Sequence, residues 1–105
     1  MNTDTSMILT TFSNPETGRK LAESLLENKL AACVQTMPIQ STYRWKGAVQ
    51  QEPETLMLIK TKTSLYPQVE ALIRELHDYE TPEIIQVPIT AGLPSYLQWI
   101  DDETQ

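Results

Sequence analysis

Met7-Ile8-Leu9-Thr10-Thr11-Phe12, a short run of apolar and β-branched residues, predicts a first strand. Ser13-Asn14-Pro15-Glu16 follows with the marks of a helix start. Asn14 can cap, Pro15 suits the first turn, and Glu16 meets the positive end of the dipole. Leu21, Ala22, Leu25 and Leu26 recur at helical spacing as a buried stripe, with Arg19, Lys20, Glu23 and Glu27 turned outward. From Leu30 the period changes to two. Ala31, Cys33, Met37, Ile39, Tyr43 and Trp45 share one face of a strand, and Thr36, Gln40, Thr42, Arg44 and Lys46 the other. Pro38 implies a bulge or a sheet edge there. Lys46-Gly47 makes a tight turn, and the chain returns through Ala48-Val49 to the buried run Leu56-Met57-Leu58-Ile59. Ser64 opens a second helix whose stripe is Leu65, Val69, Leu72, Ile73 and Leu76, with Pro67 in the first turn. Ile84 to Ile89 reads as a fourth strand. A short terminal helix carries Tyr96, Trp99 and Ile100 on one face and leaves Asp101-Asp102-Glu103 in solvent.

The order β-α-β-β-α-β is the split βαβ, or ferredoxin-like, arrangement of an α+β protein. The sequence predicts one domain over 1–105, with residues 1–6 as a flexible N-terminus. The arms flanking Lys46-Gly47 each run to about a dozen residues or more, against about 5–6 for a typical strand. Such arms overhang a small domain and expose Tyr43 and Trp45, so the pattern predicts a homo-oligomer whose neighbouring chain covers the hairpin. Tyr43, Trp45 and Trp99 are the expected interface residues, in line with aromatic enrichment at subunit contacts.

Hydrophobic residues make up 40% and charged residues 21%, which excludes wholesale disorder. The net charge of −6, with only 8 Lys and Arg, lacks the basic patch that nucleic acid requires, and an acidic surface repels anionic lipid. No apolar run approaches the roughly 20 residues of a membrane-spanning helix. Met1 to Ser6 is polar, without the basic and apolar regions of a signal peptide. One cysteine, Cys33, cannot form an intrachain disulfide and fits a reducing compartment, so a cytoplasmic protein is expected.

Three glycines, Gly18, Gly47 and Gly92, cannot build a phosphate-cradling loop, and no paired His or Cys spacing supports a structural zinc site. The topology is shared by acylphosphatases, but no Arg-bearing glycine loop follows the first strand. It is also shared by RNA-binding domains, but Met57-Leu58-Ile59 offers no stacking aromatics. The concentrated chemistry is His77-Asp78-Tyr79-Glu80-Thr81-Pro82-Glu83, with the chain's single histidine, a phenol and several carboxylates. His77 with nearby carboxylates could ligate a metal or move protons; equally, a histidine meets the last carbonyls of a helix before a Pro-containing turn. Cys33 reads as a buried small residue or as a soft ligand. Lys60 either ends a strand at solvent or points into a cleft, and Glu52 and Glu54 around Pro53 read as edge charges.

Leu30-Ala31-Ala32-Cys33, Ser41-Thr42-Tyr43-Arg44-Trp45-Lys46-Gly47, Lys60-Thr61, the His77 to Glu83 run and Tyr96-Leu97-Gln98-Trp99-Ile100 occur in this order. In them the chain resembles the CutA divalent-cation-tolerance family from about Met7 to Ile100. The resemblance implies a ferredoxin-like homotrimer bridged by the long hairpin, a link to tolerance of copper and other divalent cations, and no established reaction. In some bacterial relatives copper is attributed to a first-strand cysteine and a His-His pair, and the matching positions here are Thr10 and Leu76-His77. Thr and Leu cannot replace thiolate and imidazole for a soft metal.

The expected function is a trimeric cytoplasmic protein of divalent-metal tolerance, with copper or another divalent cation as partner and no organic cofactor. Its metal candidates are His77, then Cys33 and Glu83. The family's architectural likeness to PII signalling proteins supplies the alternative, a small-molecule sensor with Lys60, Tyr79 and Glu83 lining a cleft between subunits. An enzyme using His77 as general base lacks a recognisable nucleophile or oxyanion donor. A fourth expectation is a purely structural trimer serving as an assembly platform.

Overall fold

The computed structural model describes residues 4–105. Four strands form one antiparallel sheet: β1 (Thr5–Phe12), β2 (Cys33–Trp45), β3 (Ala48–Lys62) and β4 (Ile84–Pro88). The helices are α1 (Pro15–Glu27), α2 (Tyr66–Leu76), entered through a 3-10 turn at Thr63–Leu65, and α3 (Pro94–Asp102). The spatial order is β2-β3-β1-β4, as the split βαβ arrangement requires. The expected flexible start is corrected in part. Thr5 and Ser6 are buried strand residues paired with Lys62 and Thr61, while residues 1–3 lie outside the described ones.

Local chemistry accounts for the boundaries. Asn14 Oδ1 accepts the Glu16 N–H at 2.9 Å and Pro15 occupies the first turn, so α1 begins where the capping residues stand. Gly18 lets α1 settle onto the ring of Phe12, where an added Cβ would come within 2.2 Å of Cζ. Lys46 and Gly47 both take positive φ, 49° and 81°, the two-residue turn whose twist suits a hairpin. From that turn β2 and β3 pair without interruption from Trp45↔Ala48 to Cys33↔Lys60. Pro38 therefore marks the sheet edge and no bulge. β1 accompanies β3 only from Thr55 onward, so the turn-proximal half of the hairpin overhangs, and the molecule measures 44 × 27 × 22 Å.

α1 and α2 cover one face. Leu21, Leu25, Val69 and Ile73 pack there on Ile8, Phe12, Met57 and Ile59. Leu26 departs from the expected stripe at 44% exposure, since two helices on a small sheet leave each only a narrow buried seam. The register puts Cys33, Met37, Leu56, Leu58, Met7 and Leu9 on the opposite face. Cys33 is consequently half-buried rather than part of the helix-side core. α3 lies against β3 and β1; its Ile100 is buried, while Tyr96 and Trp99 stack at 5.7 Å in partial exposure.

Candidate functional site

α2 ends at His77, whose backbone turns to an extended conformation while its N–H still donates to Ile73 O at 2.8 Å. The side chain is 0% exposed. Nε2 lies 2.7 Å from the carbonyl oxygen of Thr11, which can only accept, so Nε2 carries the proton. Nδ1 is then an acceptor, and it receives the Tyr79 N–H at 3.1 Å. Both ring nitrogens are thus spoken for inside the chain, and the ring sits 4.6 Å from that of Tyr79. Asp78 Oδ1 stands 3.4 Å from Nδ1.

This clip fixes Tyr79 against the hairpin. The Tyr79 hydroxyl donates to Glu54 Oε2 at 2.7 Å and meets the hydroxyl of Ser13. Burial, with the Glu54 carboxylate adding to it, pushes the phenol up to about 12. Tyr43 does the equivalent on the hairpin itself. It pairs across the strands with Gln50 and reaches the diagonal neighbour Glu52, donating to Oε1 at 2.7 Å. That bond and the carboxylate's charge raise the Tyr43 phenol above its ordinary value.

Between the overhanging hairpin and the 78–83 segment lies a cleft of about 650 Å³. Its carboxylates are Glu52, Glu54, Asp78, Glu80 and Glu83, and its rings are Tyr43, Trp45 and Tyr79. No Lys, Arg or His lines it. Glu52 and Glu54 alternate along β3 and so face the same side, with Pro53 turned away where β1 no longer runs beside β3. Two strand steps separate them by about 7 Å. Asp78 and Glu80 belong to the run of concentrated chemistry read from the sequence, whereas Glu52 and Glu54 read there as edge charges and not as site residues. The signal was there for the latter two: counting back from Lys46-Gly47 places Tyr43 diagonal to Glu52.

Of the residues singled out from the sequence, the structure brings Tyr79 and Glu83 together in this cleft with Tyr43 and Trp45, the two hairpin residues expected at a subunit interface. Lys60 lies well along β3 from Glu54, donating to the Tyr96 hydroxyl at 3.2 Å with Nζ 5.4 Å from its ring. Cys33 stands across from Lys60 in the register, away from His77. Thr10, the first-strand position expected from the resemblance to correspond to a ligand, is fully buried on the helix side opposite Met57. Among the described residues no three His, Cys, Asp or Glu converge on one point. The donor set within one chain therefore does not fit a tightly chelated copper ion. No helix of the described residues is long and apolar enough to cross a membrane.

The sequence model described as CutA1 divalent ion tolerance protein matches residues 6–103. The divalent-cation tolerance protein CutA of Thermus thermophilus is 39% identical over 99 residues, covering 93% of this chain and 96% of that protein. The chloroplastic CutA of Arabidopsis thaliana is 42% identical over 100 residues, and the chain spans 55% of its length. Among solved structures, one described as the periplasmic divalent cation tolerance protein CutA of Archaeoglobus fulgidus superposes with a TM-score of 0.93. It is 36% identical and the match covers 96% of this chain and 99% of that one. The Thermus thermophilus protein superposes at 0.92 with 38% identity, over 96% and 99% of the two chains. With the sequence match running through nearly every element and the structural match through the whole sheet, the chain belongs to the CutA1 family of divalent ion tolerance proteins.

Proposed function

We propose that the protein acts in divalent-cation tolerance as a homotrimer that collects cations in the acidic cleft. The observation that supports this reading is that five carboxylate residues, spread along the cleft rather than gathered on one point, line it without a basic side chain among the described residues. Such a site gathers cations by field and by single-oxygen contacts, which makes binding weak, exchangeable and poorly selective. Glu83 thereby remains a cation contact, with Glu52 and Glu54 beside it, whereas the engagement of both His77 nitrogens argues against a ligand role for that ring. The same engagement supports a binding rather than a catalytic role. Copper enters on this reading as one divalent cation among several.

Trimer formation is supported by the apolar side chains that a single chain leaves uncovered. Met37 is 50% exposed and Ile85 48%, and Tyr43, Trp45, Val87 and Trp99 are also exposed on the hairpin, β4 and α3. Light scattering giving three times the 12.0 kDa chain mass would support the assembly, and a stable monomer at micromolar concentration would refute it. The single free thiol supports a reducing compartment, the cytoplasm, which fractionation of cells would test. For the cleft itself, calorimetric titration of metal-stripped protein with Cu²⁺ and Zn²⁺ should give saturable heat that falls when Glu52, Glu54 and Glu83 become Gln. The absence of saturable heat would remove direct cation contact from the reading.

A second reading, a small-molecule-sensing trimer, is favoured by the size of the cleft, which falls in the range of about 300–1,000 Å³ typical of organic ligands. Tyr79 and Glu83 contribute to it from one chain. Lys60 could join only from another subunit.

A further inference from the structure

We propose that Thr10 of β1 and Gln86 of β4 hold one buried water between them, on the sheet face that α1 and α2 cover. Hydrogen-bond accounting points to the place. Among the described residues, Thr10 Oγ1 and Gln86 Oε1 are the two buried side-chain atoms that no group of the chain hydrogen-bonds. Thr10 is 0% exposed, so bulk solvent does not serve its hydroxyl. A buried hydroxyl or amide oxygen is rarely left unpartnered in a folded protein.

The register brings the two together. Thr10 pairs with Ile84 and Ile8 with Gln86, which makes Thr10 and Gln86 diagonal neighbours on one face. Ile8, Thr10 and Phe12 alternate along β1, and Ile8 and Phe12 belong to the core beneath α1 and α2. Diagonal positions lie about 7–8 Å apart, a gap that a side chain as long as glutamine can narrow to the width of one water.

The surroundings offer nothing else to bond. Met57 on β3 and Ile84 on β4 stand opposite Thr10, with Ile8 and Phe12 two residues away along β1, all apolar. Tyr66 of α2 directs its hydroxyl to Ile84 O at 3.4 Å. The Thr11 carbonyl is taken by His77.

Water suits this pair by its donors and acceptors. Gln86 Oε1 can only accept, so it takes one water proton. The Thr10 hydroxyl gives its proton to the water oxygen or accepts the second water proton. Both partners are neutral oxygens, so an ion seated there would stay uncompensated in an apolar setting. The water joins β4 to β1 one residue before the carbonyl that holds His77, and so fixes β4 where the 78–83 segment enters the sheet.

A high-resolution crystal structure of the full chain and a mutant cycle test this together. Density for one water within about 3.2 Å of both Thr10 Oγ1 and Gln86 Oε1 is expected. A direct hydrogen bond between the two side chains, or a gap without density, would overturn the proposal. Thermal unfolding at one chain concentration then compares Thr10→Val, Gln86→Met and the double variant. Each single variant leaves the other oxygen short of its bridge, and its midpoint should fall by about 4–8 °C. The double variant, with neither polar group left, should recover most of that loss. A single variant melting at or above the parent would show that there was no bridge to lose. Losses that simply add in the double variant would show two unconnected groups, and either result overturns the site.

Discussion

The imidazole of His77 takes the place of a missing strand residue beside Thr11. β4 pairs with β1 from Ser6↔Pro88 to Thr10↔Ile84, and Ile89 N–H donates to Thr5 O, so the carbonyls of Thr5, Met7, Leu9 and Thr11 point to that side. The Thr11 oxygen lies one step beyond the last pair, and Nε2 of His77 donates to it at 2.7 Å. The single histidine, the most suggestive residue of the sequence, is a structural clip.

His77→Ala leaves that carbonyl without its partner and opens a space under the loop. Stability should fall by about 3 kcal/mol in urea denaturation. His77→Gln, with an amide N–H to offer, should recover part of the loss. A variant as stable as the parent would remove the clip.

Tyr79 gives a pH dependence with a definite sign. Its phenol is raised from 10.0 to about 12 in the folded protein, chiefly by burial. The unfolded chain therefore loses this proton first. The associated stability is whole below pH 10 and is lost as pH rises through about 12. Tyr43 and Tyr66 are also raised, so following tyrosinate absorbance should show a last ionisation near pH 12 that Tyr79→Phe abolishes. Ionisation of all four tyrosines near pH 10 would contradict the placement.

Gly18→Ala forces a methyl into the ring of Phe12, whose atoms lie 2.2 to 2.9 Å from the added Cβ. Phe12 is only 5% exposed and has little room to withdraw. The expected cost is about 2 kcal/mol in thermal or urea unfolding, despite the better helix propensity of alanine.

Lys46→Asn should act in the opposite direction. Lys46 holds φ at 49°, which asparagine adopts more readily, and Asn-Gly is the favoured pair for this turn. A gain of about 0.5 kcal/mol is expected. A loss would mean that the contact of Lys46 with Trp45 outweighs the backbone preference.

Much of the fold is legible along the chain because its signals are local. The stripe of Leu65, in the 3-10 turn, with Val69 and Ile73 of α2, and the Lys46-Gly47 turn each follow from neighbours in sequence. Period two shows that Cys33 and Met37 share a face, but which face α1 and α2 cover is settled by long-range packing, so Cys33 emerged half-buried on the side away from them. The site is less legible for the same reason. His77 meets Thr11 across 66 residues and Tyr79 meets Glu54 across 25. Glu52 and Glu54 look like edge charges until the 78–83 segment is laid against them.

The central claim is that cations meet this protein at the cleft carboxylates and not at His77. The direct measurement is Cu²⁺ titration of metal-stripped protein beside two variants, Glu52→Gln/Glu54→Gln/Glu83→Gln and His77→Gln, each checked for its fold by circular dichroism. Weak saturable binding that is lost in the triple variant and kept in His77→Gln is the predicted result. Binding kept in the triple variant and lost in His77→Gln would contradict the account.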